Sequence, residues 1–287
     1  MKKFAVIDIG SNSVRLMTVA DGKVLYKRLQ TTRLGSGLEQ NNRLQESAII
    51  RSADAVSSFY TQAKADGAEQ VLAFATAAVR RAENGENFVQ AVQKLCGLQV
   101  QIISGETEAE IGIFGALGNA DGAVIDVGGA STELVVKRAG NLAYKKSVDI
   151  GVVRLKDKCG QDKARLQSVS QAFAKEFGVV ESVTCVHAIG GTATTLGAIK
   201  AGLDKYESEK VTGVEITATQ MQELANRLVE MSVDEIALLP CVMAGRADVL
   251  AGGAVLLAEI AKRLGIEKFI VSDRDNLEGY AIKQGLM

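Results

Sequence analysis

The feature that most restricts the possible folds is a short pattern that occurs twice, 118 residues apart. The stretch Ala5-Val-Ile-Asp8-Ile-Gly10 is followed by small polar residues, and the pattern recurs as Ala123-Val-Ile-Asp126-Val-Gly128. Each copy reads as a strand, a tight turn of small residues and a second strand. The repeat predicts two similarly built domains, each presenting an aspartate and a glycine turn at the tip of a hairpin.

The second hairpin has the residue types of a phosphate and metal site. Its tip and flanks carry Asp126, Gly128, Gly129, Ser131, Thr132 and Glu133. The two glycines can direct backbone N–H groups at an anion, and the two hydroxyl residues add donors. A pair of carboxylates beside bound phosphate suits a hard cation such as Mg²⁺. Taken alone, the stretch is explained more simply as an ordinary glycine turn. The repeat is what favours a ligand site.

Composition sets broad limits on the class of protein. The chain has 287 residues, which suits two domains that each have their own core. A net charge of −1 argues against a nucleic-acid polymer as partner. No apolar stretch is long enough to span a membrane, so no membrane partner is expected. The four scattered cysteines fit a reduced, cytoplasmic protein better than a disulfide framework: Cys96, Cys159, Cys185 and Cys241.

Hydrophobic patterning predicts an α/β chain in two domains, residues 1–118 and 119–275, and a final helix in 276–287 that could complete the first. Strands are predicted at 3–9, 13–20, 23–31, 70–75, 100–103, 123–127, 131–137, 142–149, 182–189 and 268–271. Helices are predicted at 44–65, 84–95, from 105, at 162–177, from 190, and at 249–264 and 276–284.

Two features leave alternatives open. Gly190-Gly191-Thr192 ends a predicted strand and opens a helix, which fits either an anion site or a close helix–strand crossing. His187 lies within the same predicted strand, and a structural histidine explains it more simply than a catalytic one.

Five stretches in a fixed order carry a resemblance to a known family. They are Asp8-Ile-Gly-Ser-Asn-Ser13, Ala75-Thr-Ala-Ala-Val-Arg80, Ile103-Ser-Gly-Glu-Thr-Glu108, Asp126-Val-Gly-Gly-Ala-Ser-Thr-Glu133 and Gly190-Gly-Thr192. Together they resemble the exopolyphosphatase and guanosine-pentaphosphate phosphohydrolase family of the actin-like ATPase superfamily. The resemblance implies two ribonuclease-H-like domains with an active-site cleft between them. It also implies metal-dependent hydrolysis of a terminal phosphate in polyphosphate or pppGpp.

On this basis the candidate residues receive roles. Glu108 is expected to activate water and Arg80 to bind the terminal phosphate through its planar fork, with Glu133 also in the catalytic set. Asp126 and Glu133 are expected to hold Mg²⁺ or Mn²⁺, with Asp8 reaching the ion through water. The expected substrate contacts are Gly10, Ser11, Asn12, Ser13, Gly128, Gly129, Ser131, Thr132, Gly190, Gly191 and Thr192.

The chain departs from the family pattern in two places. Thr107 stands where the family commonly has a first glutamate, and the sequence from Ser272 to Gly279 differs from the family's Ser-Asp-Gly-Gly-Leu-Arg-Glu-Gly. The family's packing and substrate contacts near the C-terminal edge are therefore not carried over to this stretch, whereas the core chemistry is. Two other functions fit the same residues, a kinase or ATPase of the superfamily and a non-catalytic phosphate or nucleotide sensor. A homodimer is also expected.

Overall fold

The computed structural model describes residues 2–181, 183–243 and 245–287. The chain forms two compact units. Unit 1 comprises Met1–Gly115 with Asn276–Met287, and unit 2 comprises Ala116–Asp275. Of the strand predicted at 182–189, residue 182 lies outside the described residues, residues 183–184 are not strand, and the observed strand is Cys185–Ile189. Across the described residues no helix combines the length and apolar character that a membrane span requires.

Unit 1 is built on one mixed sheet. Its strands are β1 (Lys3–Ile9), β2 (Ser13–Ala20), β3 (Lys23–Thr31), β4 (Gln70–Ala75) and β5 (Val100–Ile102). Its helices are α1 (Leu38–Asn41), α2 (Glu46–Ala65), α3 (Ala77–Arg81), α4 (Gly85–Cys96), α5 (Gly105–Leu117, whose last two residues fall in unit 2) and the C-terminal helix (Asn276–Lys283). The strand order is β3-β2-β1-β4-β5. The first three strands are antiparallel neighbours, and β4 and β5 continue the sheet in parallel.

Both faces of the central strands β1, β2 and β4 are buried, because their alternate residues supply two separate cores. Ala5 and Ile7 face a core that includes α2 and α4. Val6, the residue between them, faces a second core that includes Ile111 of α5 and Tyr280 of the C-terminal helix. Helix α5 and the C-terminal helix are therefore held in place by packing against this face of the sheet.

The C-terminal helix is attached to unit 1 by several kinds of contact. The Tyr280 ring stacks on Phe74 with centroids 4.5 Å apart, and its hydroxyl donates to Gln101 Oε1 at 2.8 Å. A Cβ added at Gly279 would lie 1.6 Å from the carbonyl oxygen of Ile111, so the backbones of this helix and α5 touch. The closing glycine of the atypical 272–279 stretch is thus required by a helix–helix contact.

Gly279→Ala is expected to lower the free energy of unfolding by about 1–3 kcal/mol, because forcing a methyl into a packed interface costs that much. Helix propensity alone would favour alanine by about 1 kcal/mol, so the sign of the effect reports the contact. Chemical denaturation of the purified protein measures it.

Gly252→Ala is the matched control, since a Cβ at this helical glycine meets its nearest neighbour, Leu166 Cδ2, at an ordinary 3.4 Å. That variant is expected to be neutral or slightly stabilising. Equal destabilisation by both substitutions would contradict a specific contact at Gly279.

Unit 2 repeats the mixed-sheet plan with six strands among the described residues, in the order β10-β11-β9-β6-β7-β8. They are β6 (Gly122–Val127), β7 (Thr132–Arg138), β8 (Asn141–Val148), β9 (Cys185–Ile189), β10 (Glu215–Thr217) and β11 (Lys268–Val271). The helices are α6 (Val152–Cys159), α7 (Lys163–Ala174), α8 (Gly190–Lys200), α9 (Ser208–Val211), α10 (Ala218–Glu230), α11 (Val233–Ala237) and α12 (Ala247–Leu264). A 3₁₀ turn, Lys175–Phe177, follows α7.

Candidate functional site

The first hairpin tip, Gly10 to Ser13, is held by backbone hydrogen bonds. The Gly10 N–H donates to the Ser13 carbonyl at 3.0 Å, which closes the turn. The loop after β3 docks on this tip, because the N–H groups of Thr32 and Arg33 donate to the Asn12 carbonyl at 3.0 and 2.8 Å. The predicted substrate-binding residues of this hairpin therefore occupy a rigid turn.

Asp8, the predicted third metal ligand, is already engaged within its own hairpin. It lies directly opposite Arg15 in the β1–β2 register, and the Arg15 Nε donates to Asp8 Oδ2 at 3.1 Å. The guanidinium Nη2 contacts the same oxygen. This ion pair balances the carboxylate charge through Oδ2, and the role of Asp8 as a ligand that reaches the ion through water stays a prediction.

Arg80 and Glu108, both in unit 1, meet directly. Arg80 Nη1 donates to Glu108 Oε2 at 2.9 Å and to the Ile103 carbonyl at 2.9 Å. Glu108 is 7% exposed, so the arginine is the counter-ion of a buried carboxylate. Both of these hydrogen bonds to described residues use Nη1 of Arg80. Its Nε and Nη2 can therefore face an anionic ligand.

The start of α5 sets the orientation of Glu108. The Thr107 N–H donates to Ser104 Oγ at 3.1 Å, and the two hydroxyl groups are also 3.1 Å apart. Thr107, which replaces the family's first glutamate, thus takes part in capping the helix. Glu106 is exposed whereas Glu108 is buried, as expected for side chains two positions apart on a helix. Arg81, which follows Arg80 in α3, is half-buried.

The second hairpin places its two carboxylates side by side. Asp126 and Glu133 are direct partners in the β6–β7 register, so both side chains lie on the same face of the sheet. Glu133 is 3% exposed and Asp126 is 8% exposed. The equivalent positions of the first hairpin hold Asp8 and Arg15. The first hairpin therefore neutralises its aspartate with an arginine, and the second sets two carboxylates together.

The second turn, like the first, is closed by a backbone bond, from the Gly128 N–H to the Ser131 carbonyl at 3.0 Å. Its glycine carbonyls are also used. The Val152 N–H donates to the Gly128 carbonyl at 2.9 Å and the Val153 N–H donates to the Gly129 carbonyl at 2.8 Å. The N-terminus of α6 is thus satisfied by this turn and holds it in place.

Thr132 does not fit the substrate-binding role predicted for it. Its side chain is fully buried, and its hydroxyl donates to the Ile150 carbonyl at 2.5 Å. Consecutive strand residues face opposite sides of a sheet, so Thr132 points away from the face that carries Glu133. It has a structural role and is removed from the candidate set.

The glycine pair after β9 lies against the carboxylate side of the hairpin. Gly190 has a positive φ of 80°, and a Cβ there would lie 2.4 Å from Asp126 Oδ1. Thr192 Oγ1 donates to the Val127 carbonyl at 3.2 Å. The stretch is therefore a close crossing, one of the two predicted alternatives, and it places the N-terminus of α8 beside Asp126. An anion role for it stays a prediction.

Arg246 is a candidate that the sequence analysis overlooked. A Cβ at Gly191 would lie 1.5 Å from Arg246 Nη1, so the guanidinium rests on the backbone of this glycine. The arginine precedes α12 and lies at the start of α8, where backbone dipoles favour anions. Burial lowers the pKa of His187, in β9, more than the Ala123 backbone raises it, and its structural role stays a prediction.

The carboxylates of unit 2 fit a hard cation. Like charges directly opposite each other on a sheet repel, and a divalent ion offsets that repulsion. Among the described residues no group of three or more His, Cys, Asp or Glu side chains could hold a metal ion. A site at Asp126 and Glu133 would thus rely on two carboxylates, water and phosphate oxygens, which is how proteins usually hold Mg²⁺.

Unit 1 thus carries an aspartate hairpin and a buried Glu–Arg pair, and unit 2 carries a second aspartate hairpin and a glycine-lined helix start, which are groups of the kind that bind phosphate. Comparison with known families is in agreement. The chain belongs to the Ppx/GppA phosphatase family, which matches residues 15–285. The family predicted from the five motifs is therefore confirmed.

Alignments with named relatives cover almost the whole chain. Exopolyphosphatase 2 of Mycobacterium tuberculosis is 30% identical, covering 98% of both chains. The guanosine-5'-triphosphate,3'-diphosphate pyrophosphatase of Aeromonas hydrophila is 29% identical over 99% of this chain, which covers 58% of that relative. The crystal structure of the Aquifex aeolicus family member has a TM-score of 0.80 at 28% identity, covering 99% of this chain and 98% of that one. The predicted α/β class, with a mixed sheet in each of two units, is confirmed.

Proposed function

We propose that the protein hydrolyses the terminal phosphoanhydride bond of inorganic polyphosphate or of pppGpp, with water as the attacking group. The observation that carries this proposal is the buried Glu108 carboxylate bonded to Arg80, whose Nε and Nη2 have no partner among the described residues. A carboxylate in this setting can accept a proton, and the adjoining guanidinium can bind phosphate oxygens.

In the proposed reaction, the oxygen of water forms a bond to the terminal phosphorus while the bond to the bridging oxygen breaks. Glu108 accepts the proton released by the water, and Arg80 binds equatorial oxygens of the transferred group, where charge is spread in the transition state. The bridging oxygen leaves on the shortened polyphosphate, or on the guanosine nucleotide that has lost its terminal phosphate. Inorganic phosphate is the second product.

Unit 2 carries phosphate-binding groups of its own. Backbone N–H groups near Gly128 and at the start of α8 supply neutral donors, and Arg246 supplies a positive charge at the same helix start. Asp126 and Glu133 would hold Mg²⁺ or Mn²⁺, which neutralises phosphate charge when bound. Gly190 keeps the Asp126 carboxylate against the start of α8.

Substrate choice is the open part of the proposal, because one named relative is an exopolyphosphatase and another acts on a guanosine polyphosphate. The test is phosphate release from polyphosphates of defined length, from pppGpp and from ATP, each with Mg²⁺. Release from either of the first two supports the proposal. A phosphorylated acceptor formed from ATP would instead show a kinase. Tight binding of the same ligands with no phosphate released would indicate a sensor.

A further inference from the structure

Ser147 stands next to the candidate metal ligands in a row across three strands. Asp126 of β6 is the register partner of Glu133 in β7, and Glu133 is the register partner of Ser147 in β8. Residues paired in this way share one face of a sheet. Ser147 Oγ donates to Glu133 Oε1 at 2.6 Å. The serine hydroxyl therefore binds one oxygen of Glu133. On the other side of Glu133 in this row lies Asp126.

The corresponding row of unit 1 lacks this arrangement. There Asp8 is paired with Arg15, and Arg15 with Leu29 of β3. The middle residue is a cation bonded to the aspartate, and the third residue is apolar. In unit 2 the middle residue is the carboxylate Glu133 and the third strand supplies a hydroxyl. In unit 1 the middle residue is Arg15 and the third strand supplies none.

We infer that Ser147 is a positioning residue that fixes the Glu133 carboxylate for cation binding, an inference that rests on the metal-dependent function proposed above. A glutamate side chain loses considerable rotamer freedom when it is held in one orientation. A hydrogen bond to one carboxylate oxygen selects that orientation before the ion arrives. Groups that orient a ligand in this way commonly change metal affinity about 10–100-fold when they are removed.

The test is Mn²⁺ binding to the full chain, followed by the electron paramagnetic resonance of free Mn²⁺, with no substrate present. Ser147→Ala is expected to raise the dissociation constant for Mn²⁺ about 10–100-fold. Ser147→Thr keeps the hydroxyl and is expected to bind Mn²⁺ like the wild type. Should Ser147→Ala fail to fold, Ser147→Cys provides the comparison, because a thiol is only a weak donor.

Tyr144→Phe is the matched control, since it removes a hydroxyl from the same strand. That hydroxyl donates to the Phe177 carbonyl at 2.7 Å. Its loss is expected to lower stability without changing Mn²⁺ affinity. Wild-type affinity in Ser147→Ala, or equal loss of affinity in both variants, would overturn the inference while leaving the proposed function standing. Absence of Mn²⁺ binding by the wild type would overturn both the metal assignment and the role of Ser147.

Discussion

Glu108→Gln is expected to lower kcat by about 10² to 10⁴, the usual contribution of a positioned general base, and to leave KM nearly unchanged. The amide keeps the size of the side chain and can still accept a hydrogen bond from Arg80, so the substrate site should persist. What is lost is the ability to accept the proton from the attacking water. Steady-state phosphate release measures both constants.

Glu106→Gln is the control for this prediction, because it removes one negative charge from the same helical turn at an exposed position. It should leave kcat close to that of the wild type. Denaturation of both variants separates catalysis from stability, since Glu108 is also the partner of Arg80. A fall in activity that merely follows a fall in folded fraction would remove Glu108 from the catalytic role.

Asp126→Asn is expected to lower kcat/KM at limiting Mg²⁺ by about 10²-fold, because it removes half of the proposed carboxylate charge at the metal. The shape is retained, which matters because Asp126 Oδ1 lies only 2.4 Å from the position that a Cβ of Gly190 would take. Excess Mg²⁺ should restore part of the activity. Rates measured across a Mg²⁺ titration test the expectation.

Asp121→Asn removes one carboxylate charge elsewhere in unit 2. Asp121 accepts hydrogen bonds from the Ala139 and Gly140 N–H groups at the β7–β8 turn, at 2.6 and 3.0 Å. Its Mg²⁺ dependence should match that of the wild type. Full activity of the wild type in excess EDTA would contradict the metal assignment altogether.

The repeat made the two hairpins predictable, since the same glycines and aspartates close both turns. The difference between them was also present in the sequence. Arg15 and Glu133 stand seven residues after Asp8 and Asp126 respectively, so comparing the two copies position by position would have paired Asp8 with a cation. The role first given to Thr132 could likewise have been excluded by strand alternation.

Other parts of the site depend on tertiary contacts that no local pattern encodes. Arg246 rests on Gly191, and the two lie in segments that only the fold brings together. The hydrogen bond between Arg80 and Glu108 likewise depends on how α3 and α5 are placed around the sheet. Helix α10 escaped prediction although its start carries a capping box from Thr217 to Gln220, a local signal that was available.

The return of residues 276–287 to unit 1 has a consequence for the order of events on the ribosome. Domains commonly fold as they are synthesised, N-terminal first. Here the apolar face that includes Val6 and Phe74 is covered in part by Leu277 and Tyr280. Unit 1 therefore cannot complete this apolar face until all of unit 2 has been translated. A premature stop codon shortly before residue 276 would spare every candidate site residue and still leave a nascent chain exposed to aggregation or chaperone capture.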